Sequence, residues 1–433
     1  MLLLKDVRLL QFLPPEVRDG MDVLIDGNRI VKVGRNLAPV SAPERTIDLA
    51  GNLVSPGIVC SHNHFYSALA RGILADIKPA TDFVSILQNL WWRLDRAIDE
   101  EILYYSGLIG AIEAVRAGTT AVIDHHASPG FIGGSLQTLR KAFEEVGLRG
   151  ILCYEVTDRN GGSQMRQGID ENIRFAQSAK GGLLEAAIGA HAAFTLGEEA
   201  LSLLSEALRA TGSGLHIHAA EDSYDSAASH HLYQMDLMQR LESRNLLDAK
   251  TICAHGVHLT AADIGKLNEH DCFLVHNARS NMNNGVGYAE KMGAVRNVAL
   301  GTDGIGSDMF EEMKFAYFKH RDAGGPLWPA NFLAFLHNGT RLLERYFPGS
   351  FQRIEAGSVA DLVIYDYRNP TPLVGENIGG HMAFGFSAGS VKTVIINGSI
   401  VYEDRRFPFD LDPIYEKANR AAKALWKRMD EIS

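Results

Sequence analysis

The chain has 433 residues, of which 46% are hydrophobic and 22% are charged. This composition is typical of a folded globular protein and excludes the disordered, collagenous and coiled-coil classes. The 42 lysines and arginines against 52 aspartates and glutamates give a net charge of −10. We therefore expect no general attraction to nucleic acid or to an anionic membrane. We expect a small-molecule substrate instead.

The cysteine content and the N-terminus predict a cytoplasmic protein. The 4 cysteines are too few for a disulfide scaffold and include no C-x-x-C pair, so we expect reduced thiols. The first apolar run ends at Lys5 and is shorter than the ~7–15 apolar residues of a signal peptide. We expect no membrane partner.

Both ends of the chain carry short-strand patterns. Residues 22–26 and 29–33 flank a Gly-Asn turn, which predicts a hairpin. Residues 391–396 and 399–402 flank an Asn-Gly pair in the same way. Because edge strands left alone are unstable, we expect the two ends to build one small domain together.

Between the two ends, apolar runs of strand length alternate with helical patterns, and most runs end in His or Asp. Eight nearly continuous apolar strands with helices between them predict an α/β fold with a closed parallel (β/α)₈ TIM-type barrel. An open doubly wound sheet is the alternative, because the sequence does not show closure. The eight runs are residues 58–64, 121–126, 151–155, 187–191, 215–221, 252–255, 273–277 and 298–303.

These patterns divide the chain into three predicted parts. Residues 1–55 and 355–409 form a discontinuous small β-sandwich domain, and residues 56–354 form the barrel. Residues 410–433 form a closing amphipathic helix, with Asp412 as its N-cap and Pro413 at its first helical position.

Four strand-end residues predict a metal site. His62 and His64 are two residues apart, so their side chains point to the same side and can bind one ion together. His216 and His218 repeat the same spacing. We predict that His218, which is nearer the strand end, is the ligand and that His216 packs behind it. Asp303 ends the eighth strand, although Asp before Gly is also an ordinary turn pair. Three imidazoles and one carboxylate form the ligand set of catalytic Zn²⁺ or Fe²⁺.

Two further polar residues follow strand ends. Glu221 lies three residues after His218, where a carboxylate can enter a substrate pocket without joining the metal. A carboxylate at a helix start is the alternative. His255 ends the sixth strand, whereas His258 lies in the following loop and has no predicted role.

These motifs resemble those of the amidohydrolase superfamily, in its mononuclear branch of cytosine-deaminase-like and chlorohydrolase-like enzymes. The closest likeness is to the SsnA-type aminohydrolases. The resemblance covers essentially the whole chain and rests on segments that follow the family's order. They are Pro56-Gly-Ile-Val-Cys-Ser-His-Asn-His, His216-Ile-His-Ala-Ala-Glu, Ala254-His-Gly, His276-Asn-Ala-Arg-Ser-Asn, Leu300-Gly-Thr-Asp-Gly and Gly357-Ser-Val-Ala-Asp-Leu-Val.

The resemblance implies a barrel with a small β-sandwich built from both termini. It assigns the four ligand candidates to the metal, and Glu221 and His255, together with Asp303, to catalysis. A second metal in this superfamily usually needs a carboxylated lysine at the end of the third or fourth strand, and this chain has none there. We therefore expect one divalent metal per chain, Zn²⁺ first and Fe²⁺ as the alternative.

The chain departs from the better-known deaminases at the tandem His125-His126 and at Asn281-Met-Asn-Asn, which leaves the substrate open. Five residues are candidates for the pocket lining, although each also fits a structural role. They are His125, His126, His191, Arg279 and Trp92.

The predicted reaction is hydrolytic deamination of an amino-substituted heterocycle, such as a purine, pyrimidine, pterin or triazine-like ring. The metal lowers the pKa of its water, Asp303 takes the proton, Glu221 protonates the ring nitrogen and His255 stabilises the attacking oxygen. One alternative is another leaving group, as in a chlorohydrolase or a cyclic amidase. A catalytically inactive barrel scaffold is a further alternative, but it predicts loss of ligands. The oligomeric state stays open, a homo-oligomer included.

Overall fold

A computed structural model of the chain describes residues 1–39, 41–179 and 181–432. Its strands are β1 Leu2–Phe12, β2 Pro15–Asp26, β3 Arg29–Gly34, β4 Arg45–Asp48, β5 Leu53–Pro56, β6 Ile58–Asn63, β7 Thr119–His126, β8 Arg149–Tyr154, β9 Leu184–Ala186, β10 Ile188–Ala192, β11 Leu215–Ala219, β12 Ile252–His255, β13 Phe273–His276, β14 Val298–Leu300, β15 Leu362–Tyr365, β16 Val391–Ile396 and β17 Ser399–Tyr402.

The helices lie mainly between the central strands. They are α1 Phe83–Ile86, α2 Trp92–Ala97, α3 Glu100–Arg116, α4 Ser135–Val146, α5 Gly162–Ser178, α6 Glu198–Thr211, α7 Ser223–Tyr233, α8 Leu237–Ser243, α9 Ala261–Glu269, α10 Ala278–Asn283, α11 Met309–Asp322, α12 Pro329–Leu343, α13 Ile378–Phe384 and α14 Asp412–Glu431. A π-helical turn, Leu87–Trp91, precedes α2. Within the described ranges, no helix has both the length and the apolar character needed to cross a bilayer.

Strands from both chain ends form one sheet. Its order is β17-β16-β15-β5-β1-β2-β3, and β4 pairs with β1. The join between the two ends is the antiparallel pairing of β5 with β15, in which Leu53 faces Tyr365. Both predicted hairpins are present, as β2 with β3 and β16 with β17. The apolar residues of these strands bury a core of their own that includes Leu4, Val23, Ile25 and Ile395.

The central strands pair only in parallel, in two sheets. One contains β6, β7, β8 and β9, and the other runs from β10 to β14. The fourth predicted strand, residues 187–191, corresponds to β10, which pairs with β11, whereas the short strand β9 before it pairs with β8. Isolated bridges join Val156 to Ala190 at one edge and Asn63 to Asp303 at the other. The two parallel sheets therefore meet at both of their edges.

The alternation of side chains along these strands decides which residues reach the polar end of the parallel sheets. Ile123 and Ile151 belong to the apolar cluster enclosed by the strands. Because side chains two residues apart share a face, His125 follows Ile123 on that face, and Glu155 follows Ile151 and Cys153. The same buried interior therefore ends in polar groups at the carboxyl ends of the strands.

A buried ion pair joins the parallel strands to the terminal sheet. Arg149 begins β8, and its Nε lies 2.7 Å from Asp361 Oδ2. Its Nη2 donates to Asp361 Oδ1 at 3.1 Å, so the pair is bidentate. Both side chains are only 3% exposed. We conclude that the orientation of the terminal sheet depends on this contact as well as on apolar packing.

The closing helix α14 differs from the prediction at its first residue. Asp412 is the first helical residue, and Leu411 occupies the N-cap position without a side-chain hydrogen bond. The assignment of Asp412 as the N-cap is therefore wrong by one position. The predicted apolar stripe is present, because Ala418, Leu425 and Met429 are buried.

Candidate active site

Strand ends bring the four predicted ligands together. His62 lies in β6 and His64 just after it, His218 lies in β11, and Asp303 follows β14 by three residues. One ligand atom from each of the four residues lies within 4.8 Å of the others, and all four residues are buried. Asp303 Oδ1 lies 2.8 Å from His64 Nε2 and 3.5 Å from His62 Nε2. His218 Nε2 lies 3.2 Å from His64 Nε2.

The outer nitrogens of two histidines fix which nitrogens face the centre of the cluster. His64 Nδ1 donates to the carbonyl oxygen of His125. His62 Nδ1 lies 2.9 Å from His216 Nε2, so His216 packs behind a ligand. His62 Nε2 is buried without a hydrogen-bond partner among the described residues. Nitrogen lone pairs beside one carboxylate fit a divalent cation, because imidazole and carboxylate are ligands of Zn²⁺ and of non-haem Fe²⁺.

Asp303 is held by its backbone as well as by its side chain. Its φ of +53° lies in the left-handed region, which a non-glycine residue adopts only rarely. Its amide donates to the carbonyl oxygen of His62 at 3.1 Å. Its second carboxylate oxygen, Oδ2, accepts from the Ser280 hydroxyl and lies 4.0 Å from His255 Nε2. The first oxygen is thus left to face the imidazoles.

Glu221 and His255 form a second pair beside this cluster. Glu221 Oε2 lies 3.5 Å from His255 Nε2. Burial raises the pKa of Glu221 to about 7. Asn284 Nδ2 donates to Glu221 Oε1 at 3.3 Å, and His255 Nδ1 donates to Asn281 Oδ1 at 2.8 Å. The unusual Asn281-Met-Asn-Asn stretch therefore supplies the two amides that hold this pair.

A cavity opens beside both clusters. His64, His218, Asp303 and Glu221 line it, together with a second set of polar groups that includes Glu155. Aromatic and aliphatic side chains form most of the remaining lining, which suits a flat heterocyclic ring. These are Phe83, Leu87, Trp91, Trp92, Phe194 and Tyr224.

Sequence reasoning assigned no role to three buried carboxylates of this cavity. One of them, Asp225, accepts from the backbone amides of Phe194 and Ala220, and the other two are Glu155 and Asp95. Glu155 follows β8, and its Oε2 lies 3.3 Å from His125 Nδ1. Asp95 lies in α2, and its Oδ2 accepts from the guanidinium of Arg159. The face alternation along β8 could have revealed Glu155, because residue 155 shares a face with residues 151 and 153. No local pattern could have revealed Asp95, since its helix lies in the long segment between β6 and β7.

Nearby charged groups give Glu155 and Asp95 different pKa values. Burial by itself raises the pKa of Glu155, but His191, His125 and Arg159 oppose it and hold that pKa well below its ordinary value. Burial raises the pKa of Asp95 to about 7, against the opposing effect of Arg159. Glu155 is therefore an ionised hydrogen-bond acceptor at neutral pH.

The structure divides the five predicted pocket residues into two sets. Trp92 and His191 line the cavity. The other three are not among its lining residues in the described part of the chain. His125 Nε2 donates to the carbonyl oxygens of Ala190 and His216. His126 Nε2 lies 2.7 Å from the Ser128 hydroxyl oxygen.

Arg279 is the third residue outside the cavity. Its Nε donates to Glu312 Oε2 at 2.7 Å, and Glu312 is fully buried. Its Nη1 donates to Glu311 Oε2 at 2.9 Å. The guanidinium is thus bound by carboxylates away from the cavity, which corrects its placement in the pocket lining.

Comparison with known proteins agrees with this arrangement. The amidohydrolase family profile matches residues 53–401. A 5-methylthioadenosine/S-adenosylhomocysteine deaminase from Thermococcus sibiricus is 31% identical over 396 residues, which cover 88% of this chain and 89% of the relative. The crystal structure of an adenosine deaminase from Xanthomonas campestris with bound zinc has a TM-score of 0.84 at 22% identity and covers 98% of both chains.

A further solved structure shares the fold. Atrazine chlorohydrolase from Arthrobacter aurescens, complexed with zinc, has a TM-score of 0.84 at 21% identity and covers 98% of this chain and 100% of its own. The chain therefore belongs to the amidohydrolase family. It is an enzyme of the class that hydrolyses carbon–nitrogen bonds other than peptide bonds.

Proposed function

We propose that the protein is a metal-dependent aminohydrolase that removes ammonia from an amino-substituted heterocycle. The observation that carries the proposal is the juxtaposition, in one cavity, of the His62, His64, His218 and Asp303 cluster with the Glu221–His255 pair. The deaminase relative named above supports a purine of the adenine type as one candidate substrate. The leaving group is ammonia in this proposal.

One divalent ion per chain fits the donor set, with Zn²⁺ as the first candidate. A second possible ligand group contains His64, His125, Glu155 and His218. It shares His64 and His218 with the first group, so the two groups cannot both be filled. When bound, the ion lowers the pKa of a coordinated water and so supplies the nucleophile near neutral pH.

The chain's own residues divide the proton transfers. Asp303 carries a carboxylate oxygen, Oδ2, that points toward His255 and can hold the proton taken from the nucleophile. Glu221, with its pKa near 7, can give a proton to a ring nitrogen and pass one to departing ammonia. With Nδ1 held by Asn281, His255 turns its Nε2 toward the side on which the attacking oxygen would lie and can stabilise charge there.

A different leaving group is the second candidate function. The shared fold with a chlorohydrolase favours it, since the same cluster could direct water at a carbon bearing chloride. The need for Glu221 as a proton donor distinguishes the two reactions. The amino group departs as neutral ammonia only after it receives a proton, whereas chloride departs as an anion without one.

The test is a screen for ammonia release with purified metal-loaded enzyme. The panel contains amino-purines, amino-pyrimidines, pterins, amino-triazines and their chloro counterparts. Ammonia from at least one aminated ring, lost in Glu221→Gln, supports the proposal. Chloride release without ammonia release from any ring would replace it with the second candidate.

We also propose the finer architecture. The parallel strands form one closed (β/α)₈ barrel over residues 56–354, and residues 1–55 with 355–409 form one discontinuous β-sandwich domain, followed by the helix α14. The edge bridges and the pairing of β5 with β15 support this division. Deleting everything after Glu355 should leave the N-terminal strands unpaired and the protein insoluble or protease-sensitive. A soluble truncated chain with unchanged cooperative unfolding would contradict it.

A further inference from the structure

Glu155 presents one oxygen to the cavity that its neighbours leave free. Its Oε2 faces His125 Nδ1 at 3.3 Å. Its Oε1 lies 3.7 Å from His191 Nε2 and 3.8 Å from Arg159 Nη2. Both distances exceed that of a direct hydrogen bond. Glu155 is 4% exposed and lines the cavity.

Asp95 adds a second unused acceptor to the same cavity. Its Oδ2 is bound by Arg159, but its Oδ1 is buried and has no hydrogen-bond partner among the described residues. Asp95 is 2% exposed. Buried acceptors are almost always paired in native proteins, so the polar lining on this side of the cavity is incompletely paired.

The position of Glu155 limits which part of a ligand it can contact. A carboxylate oxygen of Glu155 lies within 4.8 Å of ligand nitrogens of His64 and His218. Both histidines belong to the metal cluster. A ring whose reacting carbon is attacked beside that cluster therefore places its own atoms, rather than a distant substituent, next to Glu155.

The two glutamates impose opposite demands on the ring atoms that flank the reacting carbon. Glu221, with its pKa near 7, can donate a proton to a bare ring nitrogen. An ionised Glu155 can only accept a hydrogen bond and therefore requires an N–H. A ring of the adenine type has a bare nitrogen on one side of its amino-bearing carbon and a carbon on the other, so neither flanking ring atom offers Glu155 an N–H. The 2-amino-4-oxo ring of guanine or pterin has a bare nitrogen on one side and an N–H on the other.

Building on the proposed aminohydrolase function, we propose that the substrate is a 2-amino-4-oxo heterocycle and that Glu155 determines this specificity. Glu155 accepts a hydrogen bond from the ring N–H beside the amino-bearing carbon. In the reaction, the water oxygen bonds to that carbon and the bond from the carbon to the amino nitrogen breaks. The two water protons end on the departing ammonia and on the ring nitrogen facing Glu221, so the products are ammonia and a 2,4-dioxo ring.

The experiment compares rings that differ by one N–H. Guanine is paired with 1-methylguanine, and pterin with 3-methylpterin, with adenine and adenosine as a separate arm. Ammonia release by the metal-loaded wild-type enzyme gives kcat/KM for each compound. We expect the N–H compound of at least one pair to be preferred by about 10²-fold or more, because a site built to pair an N–H rejects the analogue that lacks it.

The variant Glu155→Gln tests the residue itself. We expect it to lose about 10²-fold or more in kcat/KM on the N–H compound, to discriminate within each pair by less than about tenfold, and to keep its metal. Glu312→Gln is the matched control, because Glu312 is also a buried, ion-paired glutamate but lies outside the cavity lining. Its discrimination between the paired rings should equal that of the wild type.

The outcomes separate this inference from the proposed function. Deamination of adenine or adenosine with none from guanine or pterin would overturn the inference and leave the proposed function standing. Equal losses by Glu155→Gln on both members of a pair would also overturn it, because Glu155 would then act only through His125 and Arg159. The comparison within the wild type keeps the test valid if the variant fails to fold. No ammonia from any ring would contradict the proposed function instead.

Discussion

Glu221 and Glu155 line the same cavity and are both buried, yet their surroundings give them opposite properties. Glu221 contacts one amide and one histidine, so burial dominates and its pKa rises to about 7. Glu155 has three basic side chains within 4 Å, so its pKa falls although it is the more deeply buried of the two. The neighbours, rather than the residue type or the depth, therefore decide whether a carboxylate here can give a proton or only accept a hydrogen bond.

This difference suits two tasks on one ring. A group that titrates near neutral pH can move protons during turnover, whereas a permanently ionised group can recognise a donor without changing state. The two glutamates lie on different strand ends, Glu155 after β8 and Glu221 after β11. Four predictions test this division, from the largest expected effect to the smallest.

The largest effect should come from removing the cluster on which both glutamates depend. We expect His62→Ala together with His64→Ala to reduce metal content from about one ion per chain to a small fraction, and to abolish ammonia release. Elemental analysis and kinetics on the same preparations measure both. Unchanged metal content, or two tightly bound ions in the wild type, would contradict the mononuclear cluster.

Glu221→Gln should separate proton transfer from metal binding. The amide keeps the size of the side chain but cannot shuttle a proton, so we expect near-normal metal content with kcat reduced by roughly 10²-fold or more. Asp303→Asn is the contrasting variant and should lose metal affinity as well as activity, because Asp303 Oδ1 faces the imidazoles. If Glu221→Gln lost its metal or kept full activity, Glu221 would not be the proton donor.

The pH profile should distinguish the two glutamates without any large change in structure. Because the pKa of Glu221 is raised to about 7, its proton-donating form predominates below that pH and is lost above it. We expect kcat/KM to fall by about tenfold per pH unit above 7, and this limb to be absent in Glu221→Gln. Glu155 stays ionised and adds no inflection between about pH 5 and 9. The same limb persisting in Glu221→Gln would assign it to another group.

The smallest effect on catalysis should come from breaking the contact between the parallel strands and the terminal sheet. Asp361→Ala leaves Arg149 buried without its bidentate partner, so we expect a loss of about 3–5 kcal/mol in the free energy of unfolding. The discrimination between paired rings should not change. Asp366→Asn removes the exposed pair with Arg405 and is the matched control, with a much smaller loss expected. Equal losses in the two variants would show that the buried pair does not stabilise the fold.

Local pattern in the sequence was sufficient for the strands and for grouping the four candidate ligands. All eight predicted central strands are present, and a short strand that was not predicted, β9, precedes the fourth. Apolar runs predict strands because each run must be buried on both faces of a parallel sheet. The ligands were predictable because parallel strands bring their carboxyl ends to one side, so His62, His64, His218 and Asp303 could be grouped by chain position alone.

Only the tertiary structure decided how the cavity uses its other polar residues. Arg279 looked like a pocket residue in the sequence, but the fold pairs it with Glu312 away from the cavity. Asn281 and Asn284 looked like a departure without a role, and the turn of α10 brings them to His255 and Glu221. Glu155 and Asp95 are 60 residues apart and meet through Arg159. The free oxygens and pKa values of such groups depend on partners distant in the chain, which only the folded arrangement of strands and loops brings within 4 Å.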